Sequence, residues 1–331
     1  MHRRTVSGRG GFLHKEIFFR VYIARRRDRD VRCFELAFAS CAELGAFYRL
    51  LPAWLRRTAA AALTLGTIGA LGAILTVMAE DPGVRVPVIM YHAVMDDASR
   101  LGKYVISPEE LESDFKWLSE NGYTAILSED LINYTENGAA LPEKPILLTF
   151  DDGYYNNYLY AYPTAKRYGM KFVLSPIGKY ADLYTETPDK SPYYAHCTWD
   201  MLREMQSSGV VEIANHTYDL HSSDGARLGT KQLSGESLED YTKLLTEDVT
   251  LFQQKAEENL QSKPVLFAYP FGAVSKGEPE IIKNLGFKVT LSCEERVSTV
   301  TRAPESLYYL GRYLRPSGVN SESFFEHILK A

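Results

Sequence analysis

Carboxylate and imidazole side chains follow three apolar, strand-like stretches of this 331-residue chain. Asp151 and Asp152 follow the letters ILLTF, His216 and His221 come after EIAN, and His92 follows IMY. One aspartate and two histidines can bind a divalent cation and leave positions open for water and substrate. These residue types therefore indicate a catalytic metal site, with a second aspartate beside it that can handle a proton.

Each of these groups also has a simpler interpretation. On an extended backbone, Asp151 and Asp152 point apart, which suits two separate roles, but Asp-Asp-Gly after a strand is also good turn chemistry. A spacing of five puts His216 and His221 about 140° apart on an ideal helix, so they converge only if the chain loops back between them. Otherwise they are unrelated surface histidines, and His92 is a hydrogen-bonded structural histidine.

The elements that carry these residues alternate between strand and helix from residue 84 onward. Short apolar strands separated by helices predict a parallel sheet covered on both faces, and six or more such units favour an α/β fold of the (β/α) barrel type. Two segments are predicted to be irregular loops, Gly178–Tyr194 and Ser222–Gly235. The predicted strands are Val86–Tyr91, Pro145–Phe150, Lys171–Ile177, Val210–Ala214, Val265–Tyr269 and Lys288–Leu291. The predicted helices are Pro108–Glu120, Ser128–Asn137, Tyr158–Tyr168, Thr198–Ser207, Leu238–Leu260 and Pro279–Asn284.

Charge is divided unevenly along the chain, although its net value is only −5. Residues 1–57 carry 13 basic and 5 acidic residues, whereas the remainder carries 24 basic and 37 acidic residues. Residues 58–79 between them are uncharged and, as a helix of about 33 Å, long enough to cross a bilayer. We expect a single transmembrane anchor with a basic cytoplasmic segment before it and an exported domain, residues 80–331, after it.

The alternative for residues 58–79 is a signal peptide cleaved near Ala79, which would release the domain. The predicted exported domain has no basic patch, so nucleic acid is not an expected partner. Its two cysteines, Cys197 and Cys293, lie where a disulfide is permitted, but nothing in the sequence pairs them.

Three motifs in this order, FDDG, HTYDLH and YPFG, resemble the polysaccharide deacetylases of carbohydrate esterase family four. The resemblance covers roughly residues 84–320 and implies a distorted (β/α) barrel that binds a divalent metal, usually zinc, with cobalt, nickel or manganese as alternatives. It implies that Asp152, His216 and His221 bind the metal and that Asp151 is the general base.

The motifs also depart from the usual family pattern. The histidines are five apart rather than four, Ala268 occupies the position of the arginine that usually pairs with the base, and His327 is a poor match for the late histidine motif. The branch that acts on poly-N-acetylglucosamine shares the five-residue spacing and takes its catalytic acid from an early Tyr-His strand. The resemblance to that branch implies that His92 is the acid.

The resemblance further implies that the backbone N–H of Phe271 contacts the oxyanion and that Tyr269 and Pro270 lie at the substrate. We therefore predict metal-dependent N-deacetylation of peptidoglycan or poly-N-acetylglucosamine with release of acetate. One alternative is a silent glycan-binding protein of the same fold, supported by the absence of an arginine at position 268. Another is a deacylase of O-acetyl groups or small amides.

Overall fold

Fourteen strands and eight α-helices follow one another in residues 17–24, 31–38, 82–223 and 225–330, which the computed structural model describes. The strands are β1 (Ile17–Ala24), β2 (Val31–Phe38), β3 (Val84–Val86), β4 (Val88–Tyr91), β5 (Ala93–Val94), β6 (Val105–Ile106), β7 (Thr124–Ile126), β8 (Pro145–Asp152), β9 (Phe172–Pro176), β10 (Val211–Ile213), β11 (Leu266–Ala268), β12 (Val289–Leu291), β13 (Ser298–Val300) and β14 (Tyr313–Leu314). The helices are α1 (Pro108–Glu120), α2 (Ser128–Asn137), α3 (Tyr162–Tyr168), α4 (Gly178–Glu186), α5 (Trp199–Ser207), α6 (Leu238–Leu260), α7 (Glu278–Asn284) and α8 (Ser321–Lys330). Single turns of other helix types occupy Asn157–Ala161, Pro270–Gly272 and Pro304–Leu307.

Parallel strands form a ring at the centre of the unit Asp81–Ala331. Strand β4 pairs with β8, β8 with β9, and β9 with β10, all in parallel. An isolated parallel bridge between Asn215 and Phe267 links β10 to β11, which pairs with β12. A second bridge, Leu291 to Leu310, joins β12 to the segment that becomes β14, and β14 pairs with β4. The ring is therefore a distorted (β/α) barrel, closed in two places by single bridges.

Helices cover the ring because the strands are apolar on both faces. Every residue of β8 is buried, as expected for a parallel strand between a barrel interior and a helical layer. Helix α1 begins at a capping box in which Ser107 and Glu110 each accept the other's backbone N–H, and it buries Leu111, Phe115 and Leu118 in the main core.

A buried ion pair fastens this helix to the ring. Asp114 of α1 accepts hydrogen bonds from Arg315 Nε at 2.8 Å and from the Tyr91 hydroxyl at 3.0 Å. Tyr91 ends β4 and Arg315 directly follows β14, so one carboxylate holds a helix and two neighbouring strands.

The six predicted strands and five of the six predicted helices are confirmed, within one or two residues at each end. The predicted helix Tyr158–Tyr168 begins as a π-helical turn, Asn157–Ala161, before α3. The prediction of an irregular loop over Gly178–Tyr194 was wrong, because α4 occupies its first half. The segment Ser222–Gly235 contains no helix or strand among its described residues.

The N-terminal unit Met1–Glu80 contains an antiparallel pair, β1 and β2, in its described residues. The predicted anchor, residues 58–79, lies outside the residues that the structure describes. Among the described residues, no helix combines the length and the apolar character that crossing a membrane requires.

Candidate active site

A cleft of about 1070 Å³ lies where the ring strands end. Six of the predicted site residues line it, namely His92, Asp151, Asp152, His216, His221 and Phe271. Tyr269 and Pro270 do not, because both side chains are buried and the Tyr269 ring packs against Phe267. The structure thus brings the side chains predicted to act in catalysis and metal binding together in one cleft, whereas Tyr269 and Pro270 are buried outside its lining.

Asp152, His216 and His221 form a group whose candidate ligand atoms lie within 4.8 Å of one another. The Asp152 Oδ1 atom is 3.3 Å from His221 Nε2 and 3.7 Å from His216 Nε2. Nδ1 of His216 hydrogen-bonds the carbonyl of Ala268 at 2.7 Å, which fixes the Nδ1–H tautomer and leaves Nε2 free as an acceptor facing Asp152. One carboxylate and two imidazoles fit the donor set of a catalytic divalent cation.

Burial also puts these groups in the protonation states that a metal ligand needs. It lowers the pKa of His216 to about 3 and also lowers the pKa of His221, so both imidazoles are neutral at pH 7. Burial raises the pKa of Asp152 to about 6, helped by the charge of Asp151, yet this carboxyl is still mostly ionised at pH 7. No proton therefore has to leave the histidines before they bind a cation at neutral pH.

The end of β8 turns sharply to present both aspartates to the cleft. Asp152 has φ = 69° and Gly153 has φ = 75°, both in the left-handed region. A Cβ at Gly153 would stand 2.5 Å from Pro176 Cβ, so this position has no room for a side chain. The two carboxylates still have different partners, because Asp152 faces the histidines and Asp151 faces an arginine.

The loop between the two histidines folds back, as their spacing requires if they are to converge. Thr217 has φ = 72°, and the two imidazole centroids come within 4.8 Å. Asn215 accepts the Thr217 N–H at 2.8 Å. The Asp248 carboxylate of α6 accepts the N–H groups of Tyr218 and Asp219, both at 2.8 Å. Side chains outside the motif thus set its curvature.

Position 268 carries alanine, and a different arginine, Arg312, pairs with Asp151. Arg312 was not among the site residues predicted from the sequence. Its Nη1 is 2.8 Å from Asp151 Oδ1, and its Nε donates to the Ser292 carbonyl at 2.8 Å. Burial alone would raise the pKa of Asp151, but the fully buried Arg312 guanidinium outweighs it and holds that pKa below its usual value. The only sequence signal was an arginine between apolar residues in YLGRYL.

His92 lies at the end of β4, on the cleft. Its ring packs edge-on against Tyr104 with centroids 4.9 Å apart, and its carbonyl accepts the Asn157 side-chain amide at 2.7 Å. Its Nδ1 atom is buried and has no hydrogen-bond partner among the described residues. His92, Asp151 and Asp152 line the same cleft.

Phe271 has a left-handed backbone, with φ = 57°, and a half-exposed ring 4.5 Å from the His221 ring. A non-glycine residue in this region is strained, and such strain is typical of functional sites. Together with Asp152 and Thr217, it is the third left-handed side-chain-bearing residue at the site.

Two residues that contact Asp152 of the candidate metal-binding group, Tyr154 and His196, were also not predicted from the sequence. The Tyr154 side chain lies beside the Asp152 carboxylate, and His196 Nδ1 lies 3.0 Å from the Asp152 carbonyl oxygen. The centroids of the Tyr154 and His196 rings are 4.7 Å apart.

Cys197 and Cys293 are both free thiols, and the Cys293 thiol lies 3.7 Å from Arg312 Nη2.

Comparison with known proteins agrees with this geometry. Residues 138–290 match the family model described as polysaccharide deacetylase. The chain is 26% identical over 234 residues to a poly-beta-1,6-N-acetyl-D-glucosamine N-deacetylase of Escherichia coli strain K12. This match covers 65% of the chain and 34% of the relative, so the chain spans about a third of that protein's length.

Two solved structures share the fold. A de-N-acetylase from Aggregatibacter actinomycetemcomitans superposes with a TM-score of 0.61 at 28% identity, covering 73% of this chain and 100% of the other. IcaB from Ammonifex degensii superposes with a TM-score of 0.59 at 27% identity, covering 74% and 96%. The family model, the fold and the motif positions agree, and all three make the chain similar to polysaccharide deacetylases.

Proposed function

We propose that this chain removes N-acetyl groups from a poly-N-acetylglucosamine-type polysaccharide and that it does so with a divalent cation, zinc in the first instance. The observation that carries the proposal is the placement of Asp152, His216 and His221 in one cleft beside the Arg312-paired Asp151. The name of the E. coli relative favours poly-β-1,6-linked N-acetylglucosamine over peptidoglycan as substrate.

The amide bond requires a nucleophile, stabilisation of an oxyanion and protonation of a poor leaving group. When a divalent cation is bound by Asp152, His216 and His221, it supplies Lewis acidity toward the acetyl carbonyl and the attacking water. Asp151, kept ionised by Arg312, accepts the proton of that water. The backbone N–H of Phe271 is proposed as a donor to the oxyanion, because the left-handed turn sets this peptide on the cleft.

His92 is proposed to protonate the departing amine. It lines the same cleft as Asp151, so one residue can give a proton at the nitrogen while Asp151 takes one from water. The products are acetate and a free amino sugar.

The main support for a silent glycan-binding protein is removed by the Asp151–Arg312 pair. That alternative was based on the absence of an arginine at position 268 to pair with the base. Arg312 makes this contact instead, with its Nη1 atom 2.8 Å from Asp151 Oδ1. No described contact favours the O-acetyl or small-amide alternative.

Acetate release tests the proposal directly. Purified protein is assayed on β-1,6-linked N-acetylglucosamine oligomers and on peptidoglycan fragments, with chelator and after zinc is added back. We expect release from the oligomers that chelator abolishes and zinc restores. His216→Ala should lose metal and activity together, whereas Asp151→Asn should keep its metal and lose activity by about 10² or more. Absence of acetate under every metal supplement would refute the function.

We also propose that residues 58–79 anchor the chain in the cell membrane, with residues 1–57 in the cytoplasm and residues 80–331 outside. The uncharged run and the arginines before it support this arrangement. We expect alkaline carbonate to leave the full chain in the membrane pellet and to release a chain without residues 1–79. A released full chain would favour cleavage near Ala79.

A further inference from the structure

The proposed metal ligand Asp152 occupies the centre of a rare kind of turn. Its φ is 69°, and the Gly153 N–H donates to the Asp151 carbonyl at 2.9 Å. A hydrogen bond that spans only three residues, around a central residue with positive φ, defines a γ-turn of the strained left-handed form. Such a backbone persists only where its surroundings hold it, so contacts outside the turn must keep Asp152 in this conformation.

The segment Ala195–Cys197, which we call the clamp segment, lies alongside this turn. The Tyr155 N–H donates to the Ala195 carbonyl, and the Cys197 N–H donates to the Gly153 carbonyl, both at 2.8 Å. The two chains form an antiparallel bridge at this point. The clamp segment is thereby fixed to the backbone that directly follows the turn, although it lies more than 40 positions further along the chain.

His196, in the middle of the clamp segment, contacts the strained residue itself. Its Nδ1 atom is 3.0 Å from the Asp152 carbonyl oxygen. Because a carbonyl oxygen can only accept, Nδ1 carries the proton and donates it to this hydrogen bond. The backbone bond to the same oxygen, from the Ile177 N–H, is longer at 3.4 Å. The imidazole therefore provides the shorter of these two hydrogen bonds to the Asp152 carbonyl.

Three tyrosine rings pack against the buried His196 imidazole. The Tyr180 ring is stacked on it with centroids 4.5 Å apart and planes 23° apart, and the Tyr154 centroid is 4.7 Å away. The Tyr184 centroid is 5.7 Å away. An imidazole packed in this way has few other orientations, so its N–H stays directed at one acceptor.

We infer that His196 is a positioning residue of the metal site, which holds the strained turn so that the Asp152 carboxylate faces His216 and His221. The inference rests on the proposed function, because Asp152 binds a cation only under that proposal. Residues that orient metal ligands usually bond to the ligating side chain itself. His196 differs in that it acts on the main chain of the ligand.

Zinc affinity of the purified full chain separates the hydrogen bond from the ring. The Kd is measured by competition with a chromophoric chelator. His196→Phe keeps a ring among the tyrosines but has no donor, so we expect the Kd to rise about 10-fold. His196→Asn should bind zinc as the wild type does, because its amide nitrogen lies at the same number of bonds from the backbone as Nδ1. His196→Gln carries its amide one bond further out and should weaken binding as His196→Phe does.

The visible absorption spectrum of the cobalt-loaded chain is the second measurement, because it depends on the arrangement of the ligands around the ion. We expect it to change in His196→Phe and His196→Gln and to stay unchanged in His196→Asn. His327→Phe is the matched control, since it makes the same substitution at an exposed histidine of α8. If His196→Phe does not fold, the comparison of His196→Gln with His196→Asn decides.

A wild-type Kd and spectrum in His196→Gln would overturn the inference, even if the variant unfolds at a lower urea concentration, because His196 would then serve stability alone. Equal weakening in His196→Asn and His196→Gln would also overturn it, since the ring and not the donor would matter. Failure of the proposed function would look different. A wild-type chain that binds neither zinc nor cobalt refutes the metal-dependent function, and the role of His196 with it.

Discussion

Two neighbouring aspartates differ in ionisation because their surroundings differ. Burial raises the pKa of Asp152 to about 6, whereas for Asp151 the effect of burial is outweighed by Arg312, which holds the pKa low. Titratable pairs whose pKa values are driven apart are typical of acid–base sites, and here the separation gives each carboxylate one role. Asp152 can bind a cation and Asp151 is ready to accept a proton.

Replacing Arg312 should therefore change the pH dependence of the reaction. A general base works when ionised, so activity is present above its pKa and is lost as the pH falls through it. In Arg312→Met, the largest opposition to the effect of burial is removed and the pKa of Asp151 rises, so the acidic limb of kcat/KM should move to higher pH. Arg312→Lys should move it less, because the charge remains.

The control for this prediction is Arg167→Met, which removes an exposed arginine paired with Glu112. It should leave the pH profile unchanged. An acidic limb that does not move in Arg312→Met would mean that Arg312 does not tune the base. Metal content and thermal unfolding show whether the variant is folded.

His92→Ala should lose activity selectively. The three proposed metal ligands are untouched, so metal content should stay normal. An amine leaving group needs a proton, whereas an aryl oxide leaves as a weakly basic anion, so the variant should keep far more activity on an aryl acetate than on an N-acetylglucosamine oligomer. Equal losses on both substrates with lower metal content would make His92 a support of the metal site instead.

At the scale of elements, helix α6 holds the loop that carries His221. Its Asp248 side chain accepts two successive backbone N–H groups of that loop, and Asn215 donates to the Val249 carbonyl at 3.3 Å. The distance between the two histidines is thus set by a helix that begins 17 residues beyond His221. Helix α6 thus shapes the candidate metal site without contributing a ligand.

Asp248→Asn should consequently weaken metal binding. One carboxylate oxygen becomes an NH₂ group that cannot accept an N–H, so the loop loses a constraint. We expect the Kd for zinc, measured by competition with a chromophoric chelator, to rise about 10-fold, as for other residues that orient metal ligands. Glu247→Gln is the matched control on the exposed neighbouring position and should leave it unchanged. Equal zinc affinity in both variants would show that the loop between the histidines keeps its conformation without the Asp248 carboxylate.

Helix boundaries fixed by local signals could be predicted from the sequence. Helices α1, α2 and α6 match their predicted bounds, and Ser107 and Ser237 cap α1 and α6. Helix α4 could not be predicted, because no side chain caps it and its first N–H groups donate to the carbonyls of Thr217 and Tyr218. Those hydrogen bonds depend on the loop between the histidines, so the sequence near residue 178 contains no capping residue that would predict the helix.

The same distinction separates the site residues that could be predicted from those that could not. Asp151, Asp152, His216 and His221 follow apolar strands in motifs with readable spacing, and the structure brings them together. Arg312 reaches Asp151 across 161 positions of sequence, so no spacing rule connects them. Side chains that act through tertiary contacts, such as Asp248, are invisible for the same reason.

At the scale of the whole molecule, stability depends on contacts across the closure of the ring. Asp114, Arg315 and Tyr91 join α1, β4 and the segment after β14, with both charged side chains at most 1% exposed. Asp114→Ala leaves the Arg315 guanidinium buried without its partner. We expect the free energy of unfolding to fall by about 3–5 kcal/mol, measured by urea denaturation.

Glu112→Ala provides the comparison on the same helix. Glu112 pairs with Arg167 at the surface, where water screens the interaction, so its removal should hardly move the urea midpoint. If both variants unfold at the same urea concentration, the buried pair does not stabilise the ring.

Closure by the segment around Leu310 and β14 has a consequence for the proposed activity of a growing chain. The ribosome adds Asp152, His216 and His221 well before Arg312, and until Arg312 and β14 emerge the ring is open between β12 and β4. A nascent or proteolytically shortened chain that stops before Arg312 would hold the metal ligands but lack the charge that keeps Asp151 ionised. On the proposed function, such a fragment would bind a cation without hydrolysing an amide, and catalysis would wait until the barrel is complete.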